Sequence, residues 1–398
     1  MSRQRVVVSA TIAAAAAAAV LIAAFKNKRK RDVAEGNEAP ELSASAAVVS
    51  LDAFLRDPTS PEAREECDRL ASSLRDTGIV ILRDPRVSDA DSSSFLDLME
   101  DYFDQPTELK MADVRKELHY QVGATPSHVE IPICKADEEC RARIAAMPKR
   151  HRPTAITGPD PKWRFFWRIG ERPTSGGFED LNAEPVVPAA FPQWEETMNN
   201  WGGLMLDAVT TCAEMAAVGF RLPQDSFSKR MTLGPHLLAP TGSDLRGSNR
   251  QVGTILAGWH NDLNLLTIHG KSRFPGLYVW LKDGSKMQVK IPRGCLLVQA
   301  GQQLEHLTGG AVHAGMHEVV VLPGTVEAAE KADAHGRPAW RVSSTLFAHI
   351  ASHQVLEPLG HFATEDARTC YPPTTAGEQV LSVLKKINIA DTSDAVAQ

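Results

Sequence analysis

Short apolar runs dominate the second half of the chain, while longer helical patterns alternate with polar stretches in the first. TILAGWH, LNLLTIHG, GLYVWLKDG, KMQVKIP, CLLVQAG and HEVVVLPG are rich in Val, Ile, Leu and Thr, and Gly, Pro or Asp-Gly turns separate them. MTLGPHLLAP before this series and WRVSSTLFAHI after it read the same way. Such a succession of short strands predicts a barrel or jelly roll rather than a parallel α/β sheet. Upstream, SPEAREECDRLASSLRDTG predicts a helix capped by Ser60, with Pro61 in its first turn, Leu70, Ala71 and Leu74 on one face, and Gly78 as its stop. IVILRDP predicts a buried strand. SDADSSSFLDLMEDYFDQP predicts a second helix, with Phe95, Leu98, Met99 and Tyr102 at helical spacing. A long amphipathic helix is expected from about Pro192 to Gly219, within an otherwise loop-rich and proline-rich middle. No internal repeat is evident.

The N-terminus breaks this pattern. Residues 6–25 carry no charge, and Lys26, Lys28, Arg29, Lys30 and Arg31 follow them, against Arg3 and Arg5 before. At 1.5 Å per residue the run is long enough to span roughly 30 Å of bilayer core. Length and flanking charge predict an uncleaved membrane anchor, with the rest of the chain facing the cytosol from an organelle outer membrane or the endoplasmic reticulum. A mitochondrial or plastid transit peptide and a cleaved signal peptide are the competing readings.

Composition adds exclusions. With 43% hydrophobic and 23% charged residues, the 398-residue chain can bury a full core. A formal charge of −6 argues against nucleic acid as a partner. The cysteines Cys67, Cys134, Cys140, Cys212, Cys295 and Cys370 form no CxxC pair or zinc-ribbon spacing. They read as ordinary thiols in a reducing compartment, Cys134 and Cys140 included.

The candidate chemistry lies in GWHNDLNLLTIHG. Residues i and i+2 of an extended strand share a face, so His260 and Asp262 aim at one point while Asn261 looks away. Two histidines and one carboxylate with three positions open suit non-haem Fe(II). His306, His313 and His317 are the candidates for the missing ligand, and His317 opens the strand HEVVV. The plainer alternative is a His260 satisfied by a backbone carbonyl. In KWRFFWRIGERP, Trp163, Phe165, Phe166 and Trp167 interleave with Arg164 and Arg168. That block is either a core strand whose Arg heads reach water, or part of a substrate lid with an arginine for an anionic group. Single-stranded nucleic acid is a weaker reading in an acidic chain.

Taken in order, these motifs resemble the Fe(II)/2-oxoglutarate-dependent dioxygenase superfamily in its isopenicillin-N-synthase-like branch. The resemblance rests on His260-Asn-Asp262, LNLLTIHG, FPGLYV, the Asp283-Gly284 turn, GQQLEHLTGG, HEVVV from His317, and RVSSTLF with Arg341, Ser343 and Phe347. LASSLRDTGIVIL and YFDQPTELK are similar to the family's N-terminal region. It implies a mainly β protein with flanking helices around a double-stranded β-helix (jelly roll), with His317 joining His260 and Asp262 on Fe(II). It also implies that Arg341 and Ser343 hold the distal carboxylate of 2-oxoglutarate, for which a guanidinium fork is suited. The reaction implied consumes O2, oxidises a small organic substrate, releases succinate and CO2, and needs no separate acid or base. Phe347, Trp167 and Arg168 are the candidates for the substrate pocket, and His269 is expected to be structural.

The expected organisation is an anchor or targeting segment over 1–31, a linker over 32–46 and a dioxygenase-like helical region over 47–130. A loop-rich segment and long helix over 131–230, the catalytic barrel over 231–352 and a C-terminal segment over 353–398 complete it. Three features depart from the family pattern. Ala239 stands where a tyrosine often helps bind the cosubstrate, Glu318 replaces an arginine, and a charged insertion, TVEAAEKADAHGRP, separates His317 from Arg341. They leave two alternatives: a barrel that binds metal or ligand without turnover, and an oxidase of the same fold that dispenses with 2-oxoglutarate.

Overall fold

The computed structural model describes residues 46–386 apart from 136, 157 and 175–177. Strands β1 (Val48–Ser50) and β2 (Ile79–Arg83) come first, followed by β3 (Gly123–Thr125) and β4 (Trp163–Ile169). Next are β5 (His236–Leu238), β6 (Thr241–Asp244), β7 (Ile255–His260), β8 (Leu266–His269) and β9 (Leu277–Trp280). β10 (Lys286–Gln288), β11 (Leu296–Ala300), β12 (Met316–Val320), β13 (Trp340–Ser343) and β14 (Thr345–Ala348) follow. One sheet runs β1-β2-β11-β8-β14-β5-β4-β6-β13 with β3 on β4, and a four-stranded sheet runs β10-β9-β12-β7. An apolar cluster ties them together: Ile79 and Ile81 of β2 and Leu297 of β11 pack with Val279 of β9 and Met287 of β10. Two sheets, antiparallel apart from the parallel β1–β2 pair, over a shared core are the expected jelly roll.

Helices of nine or more residues are α1 (Pro61–Thr77), α2 (Asp89–Asp104), α3 (Glu138–Ala146), α4 (Trp194–Gly219), α5 (Pro323–Ala334) and α6 (Ala376–Lys386). The expected signals set α1 and α2. Ser60 accepts from the Ala63 N–H, Gly78 ends α1 in the left-handed region at φ +73°, and Ser88 with Asp91 closes a capping box on α2. α4 packs on both. Its Trp201 stacks on Phe95 at 5.8 Å and donates to Ser344 Oγ at 2.7 Å, which joins the helical layer to the barrel.

Several expectations are corrected. WRVSSTLFAHI forms two strands, β13 and β14, because Arg341, Val342 and Ser343 pair with β6 whereas Leu346 and Phe347 pair with β5. In GQQLEHLTGG, Gln302–Leu307 is a short helix. The charged insertion is α5, which starts at Pro323 and buries Ala329 against Leu245, Phe274 and Ala339. Cys134 and Cys140 are joined in a disulfide rather than lying as separate thiols. Asp137 caps α3 by accepting from the Cys140 N–H, folding the chain back so that the two Cα atoms stand 5.0 Å apart. The membrane-anchored, cytosol-facing assignment is corrected as well. Residues 6–25 lie outside the described residues, and among the described residues no helix is long and apolar enough to cross a membrane.

Candidate active site

His260 ends β7 and His317 lies on β12, and the antiparallel register sets them directly opposite each other. Asp262 lies just past β7. Its Oδ1 is 3.8 Å from His260 Nε2 and 4.0 Å from His317 Nε2. One ligand atom from each of the three residues falls within 4.8 Å of the others, and no other such group of His, Cys, Asp or Glu occurs among the described residues. His313 lies instead at the surface, 3.7 Å from Glu305.

Neighbouring groups prepare each ligand atom. His260 Nδ1 contacts Gly258 O at 2.6 Å, and His317 Nδ1 contacts Gly315 O at 3.4 Å. An Nδ1–H directed at a carbonyl leaves the Nε2 lone pair free for a metal. Burial, with His317 alongside, pushes the His260 pKa down to about 3, so the imidazole is neutral at ordinary pH. Burial opposes ionisation of Asp262, yet His317 and His260 hold its pKa below the usual carboxylate value. Thr267 Oγ1 donates to Asp262 Oδ2 at 2.6 Å and leaves Oδ1 facing the histidines. Two histidines and a carboxylate are the donor set that fits Fe(II).

A cavity of about 580 Å3 contains the triad. Arg341 and Ser343 share a face of β13 and line it. Arg341 is 6% exposed and makes one hydrogen bond, from Nε to Pro275 O at 3.3 Å. No carboxylate pairs with it among the described residues. Burial lowers its pKa to about 10, which still leaves it cationic at neutral pH. A buried cation with no counter-ion is costly, so this pocket is built for an anion. Ser343 Oγ lies 2.6 Å from Thr241 Oγ1 and accepts from the Thr241 N–H at 3.1 Å. Among the described residues no tyrosine lines the cavity, and Ala239, where the family's tyrosine was missed, is part of its wall.

Phe347 lines the cavity and meets Phe166 edge to face at 6.2 Å. Trp167 and Arg168 do not line it. Trp167 is buried in the main core and donates to Asn199 at 2.8 Å. Arg168 is buried against the Ile169 carbonyl and Asn182. The β4 residues on the cavity are Arg164 and Phe166.

His269, expected to be structural, lies near the triad: its ring is 6.2 Å from that of His317, with Nδ1 against Thr345 Oγ1 and Nε2 against Gln299 Oε1. Burial, then His317, pushes its pKa down to about 4. The sequence reading passed over several other wall residues. Val380, Val383 and Leu384 of α6 close one side, and the i, i+3, i+4 spacing of those residues was the available signal. Glu130, Asp160 and Lys162 stand on the wall beside Arg164. Gly258 permits the close approach of Pro132, whose Cγ an added Cβ would meet at 2.6 Å.

No family model matches the chain. A curated relative, Kihadalactone A synthase of Citrus sinensis, is 25% identical over 209 residues, which is 51% of this chain and 58% of the relative. The chain thus spans little more than half the length of that relative. Among solved structures, a protein of Caulobacter crescentus described as of the 2OG-Fe(II) oxygenase family superposes with TM-score 0.66 at 22% identity, covering 86% of this chain and 99% of that one. A full-length Neurospora crassa protein solved in complex with alpha-KG gives 0.65 at 16% identity, covering 85% and 95%. The dioxygenase for auxin oxidation in rice gives 0.58 at 15%, covering 86% and 95%. At these identities the likeness to solved structures is one of fold. The chain shares the fold of these solved proteins, and His260, Asp262 and His317 converge inside it.

Proposed function

We infer that the protein is an Fe(II)- and 2-oxoglutarate-dependent oxygenase of a small organic substrate. The observation that carries this reading is that one cavity contains both a His-Asp-His convergence and a buried arginine with no counter-ion. The alpha-KG complex of the Neurospora crassa protein supports the cosubstrate, and the thymine complex of the same protein supports a small-molecule substrate. When bound, Fe(II) and 2-oxoglutarate supply the oxidising chemistry, coupling decarboxylation of the cosubstrate, with release of succinate and CO2, to oxidation of the substrate by O2.

The chain's own residues position and exclude. His260 and His317 present Nε2, and Asp262 presents Oδ1, each held by a second partner so that little reorganisation is needed. Arg341 would hold the distal carboxylate, for which its guanidinium fork is suited. Ser343 adds a hydroxyl donor, oriented by Thr241. Phe166, Leu237 and Phe347 form an apolar wall that keeps water from the reacting centre. The unpaired Arg341 argues against an oxidase that dispenses with 2-oxoglutarate.

The deciding experiment is anaerobic titration of 2-oxoglutarate into the Fe(II)-loaded protein, followed by visible absorption and then by succinate release on admission of air. A metal-to-ligand charge-transfer band and succinate formation are expected. Iron binding with neither would leave a barrel that binds metal without turnover.

A further inference from the structure

One part of the cavity wall has no task in holding the metal or the cosubstrate. Glu130, Asp160, Lys162 and Arg164 come from β4 and the loops before it, whereas Arg341 and Ser343 come from β13. The four charges are interlocked. Lys162 Nζ contacts Asp160 Oδ2 at 2.7 Å and Glu130 Oε2 at 2.9 Å, and Arg164 pairs with Glu130. Backbone bonds fix the two loops together, from Asp160 N–H to Glu130 O at 3.0 Å and from His128 N–H to Asp160 O at 2.9 Å. Asp160 Oδ1 also accepts from the Gly258 N–H at 3.0 Å, two residues before His260. The group therefore adjoins the metal centre.

Its charges sum to zero in a nearly dry setting. Side-chain exposures are 14% for Glu130, 6% for Asp160, 9% for Lys162 and 12% for Arg164. Two cations on a cavity wall would ordinarily suggest an anionic ligand. Here both are already matched by buried carboxylates. A carboxylate entering beside them would have to displace Glu130 or Asp160, leaving a buried acid without its partner, or lie against them as a like charge. An uncharged oxygen has no such cost. It can accept a spare N–H, since a guanidinium has five donors and an ammonium three, and Arg164 Nε has no partner among the described residues. The remaining wall here is apolar, from Ile131, Pro132, Phe166, Val380 and Leu384. Lys271 and Lys290 also line the cavity but are exposed, so water screens them from this buried group.

Resting on the oxygenase reading above, we propose that the substrate is an uncharged, largely apolar molecule bearing an oxygen acceptor, and that the Glu130–Asp160–Lys162–Arg164 wall accepts that oxygen and rejects carboxylates. Selection of this kind works by repulsion as much as by attraction.

The test uses matched probes: the carboxylic acid, methyl ester and primary amide of naphthalene and bicyclic terpene skeletons. Binding to the full chain is measured by calorimetry, once without metal and once anaerobically with Fe(II) and 2-oxoglutarate, whose own binding is recorded separately. The ester or amide is expected to bind at least about tenfold more tightly than its acid, a difference of roughly 1.4 kcal/mol. Glu130→Gln leaves the wall with a surplus positive charge and should move the ratio towards the acid by a similar factor. Glu130→Gln combined with Arg164→Gln restores neutrality and should restore the preference for uncharged probes. With 2-oxoglutarate occupying Arg341, tighter binding of the acids by the wild type, or no detectable binding of any uncharged probe, overturns the proposal. So does a ratio that Glu130→Gln leaves unchanged. If Glu130→Gln does not fold, the wild-type ratio and the double variant still decide. Failure of 2-oxoglutarate to bind would overturn the oxygenase reading instead, and the metal-free arm keeps the two failures apart.

Discussion

His317 on β12 faces His260 on β7 across an antiparallel pair, with their ring centroids 4.2 Å apart. The pair register changes between His317 and Val319, a bulge-like irregularity beside the ligand. Such irregularities re-aim side chains at functional sites. Replacing His317 by Ala should remove most bound iron, measured by metal analysis after anaerobic desalting. His313→Ala should retain it. The opposite result would reassign the third ligand.

Among the described residues Arg341 has no carboxylate beside it, so 2-oxoglutarate would be its counter-ion. Arg341→Ala should weaken 2-oxoglutarate binding by about 30-fold to several thousand-fold, the range for loss of a buried charged partner at roughly 2–5 kcal/mol. Arg341→Lys should recover little, because an ammonium cannot make the forked contact. Iron content should stay near wild type in both. Equal cosubstrate affinity in all three proteins would remove Arg341 from the site.

Glu130 gives a pH signature. Burial works against its ionisation, but Arg164 and then Lys162 outweigh it and hold its pKa at about 2. An unfolded glutamate titrates near 4.3. A depressed acid stabilises the fold above the unfolded value, and the benefit fades as pH falls towards the folded one. At about 1.4 kcal/mol per unit, the contribution is roughly 3 kcal/mol at neutral pH. Glu130→Gln should therefore lower the denaturation midpoint at pH 7, with the deficit shrinking to about half by pH 3. A deficit that does not vary with pH would count against the ion-pair account.

α6 supplies part of the cavity wall through Val380 and Leu384, which cluster with Tyr120 and Leu181. Gln379 donates to Leu263 O at 3.0 Å and so fixes the helix beside the triad segment. Leu384→Asp should release the helix, seen as faster limited proteolysis after residue 370. A buried leucine lost from a packed site costs about 2 kcal/mol or more. Metal content should not change, since no triad residue lies on α6. Unaltered protease resistance would show that the helix is held by something other than this cluster.

The strands were legible because each apolar run is short and ends at a turn residue, and His260 with Asp262 was legible because extended backbone repeats every two residues. Arg341 and Ser343 followed from motif order. What escaped was whatever depends on which face meets the cavity. Alternation along β4 separates Trp163, Phe165 and Trp167 from Arg164 and Phe166, but it does not say which set looks inward. The Cys134–Cys140 pair escaped because its spacing matches no framework and only the α3 cap folds the two together. The nearness of His269 to His317 was not legible, because the two lie far apart along the chain and in different sheets.

The two ends of the connection from β12 to β13 differ in what they tolerate. α5 buries Thr325 and Ala329, whereas at Gly336 just beyond it, at φ +66°, an added Cβ would meet nothing within 4 Å among the described residues. The first turn of α5 is tied to the arginine, since Thr325 Oγ1 and Arg341 Nε both donate to Pro275 O. The far end of the connection carries no such tie, so a reporter domain spliced at Gly336 should leave the barrel intact.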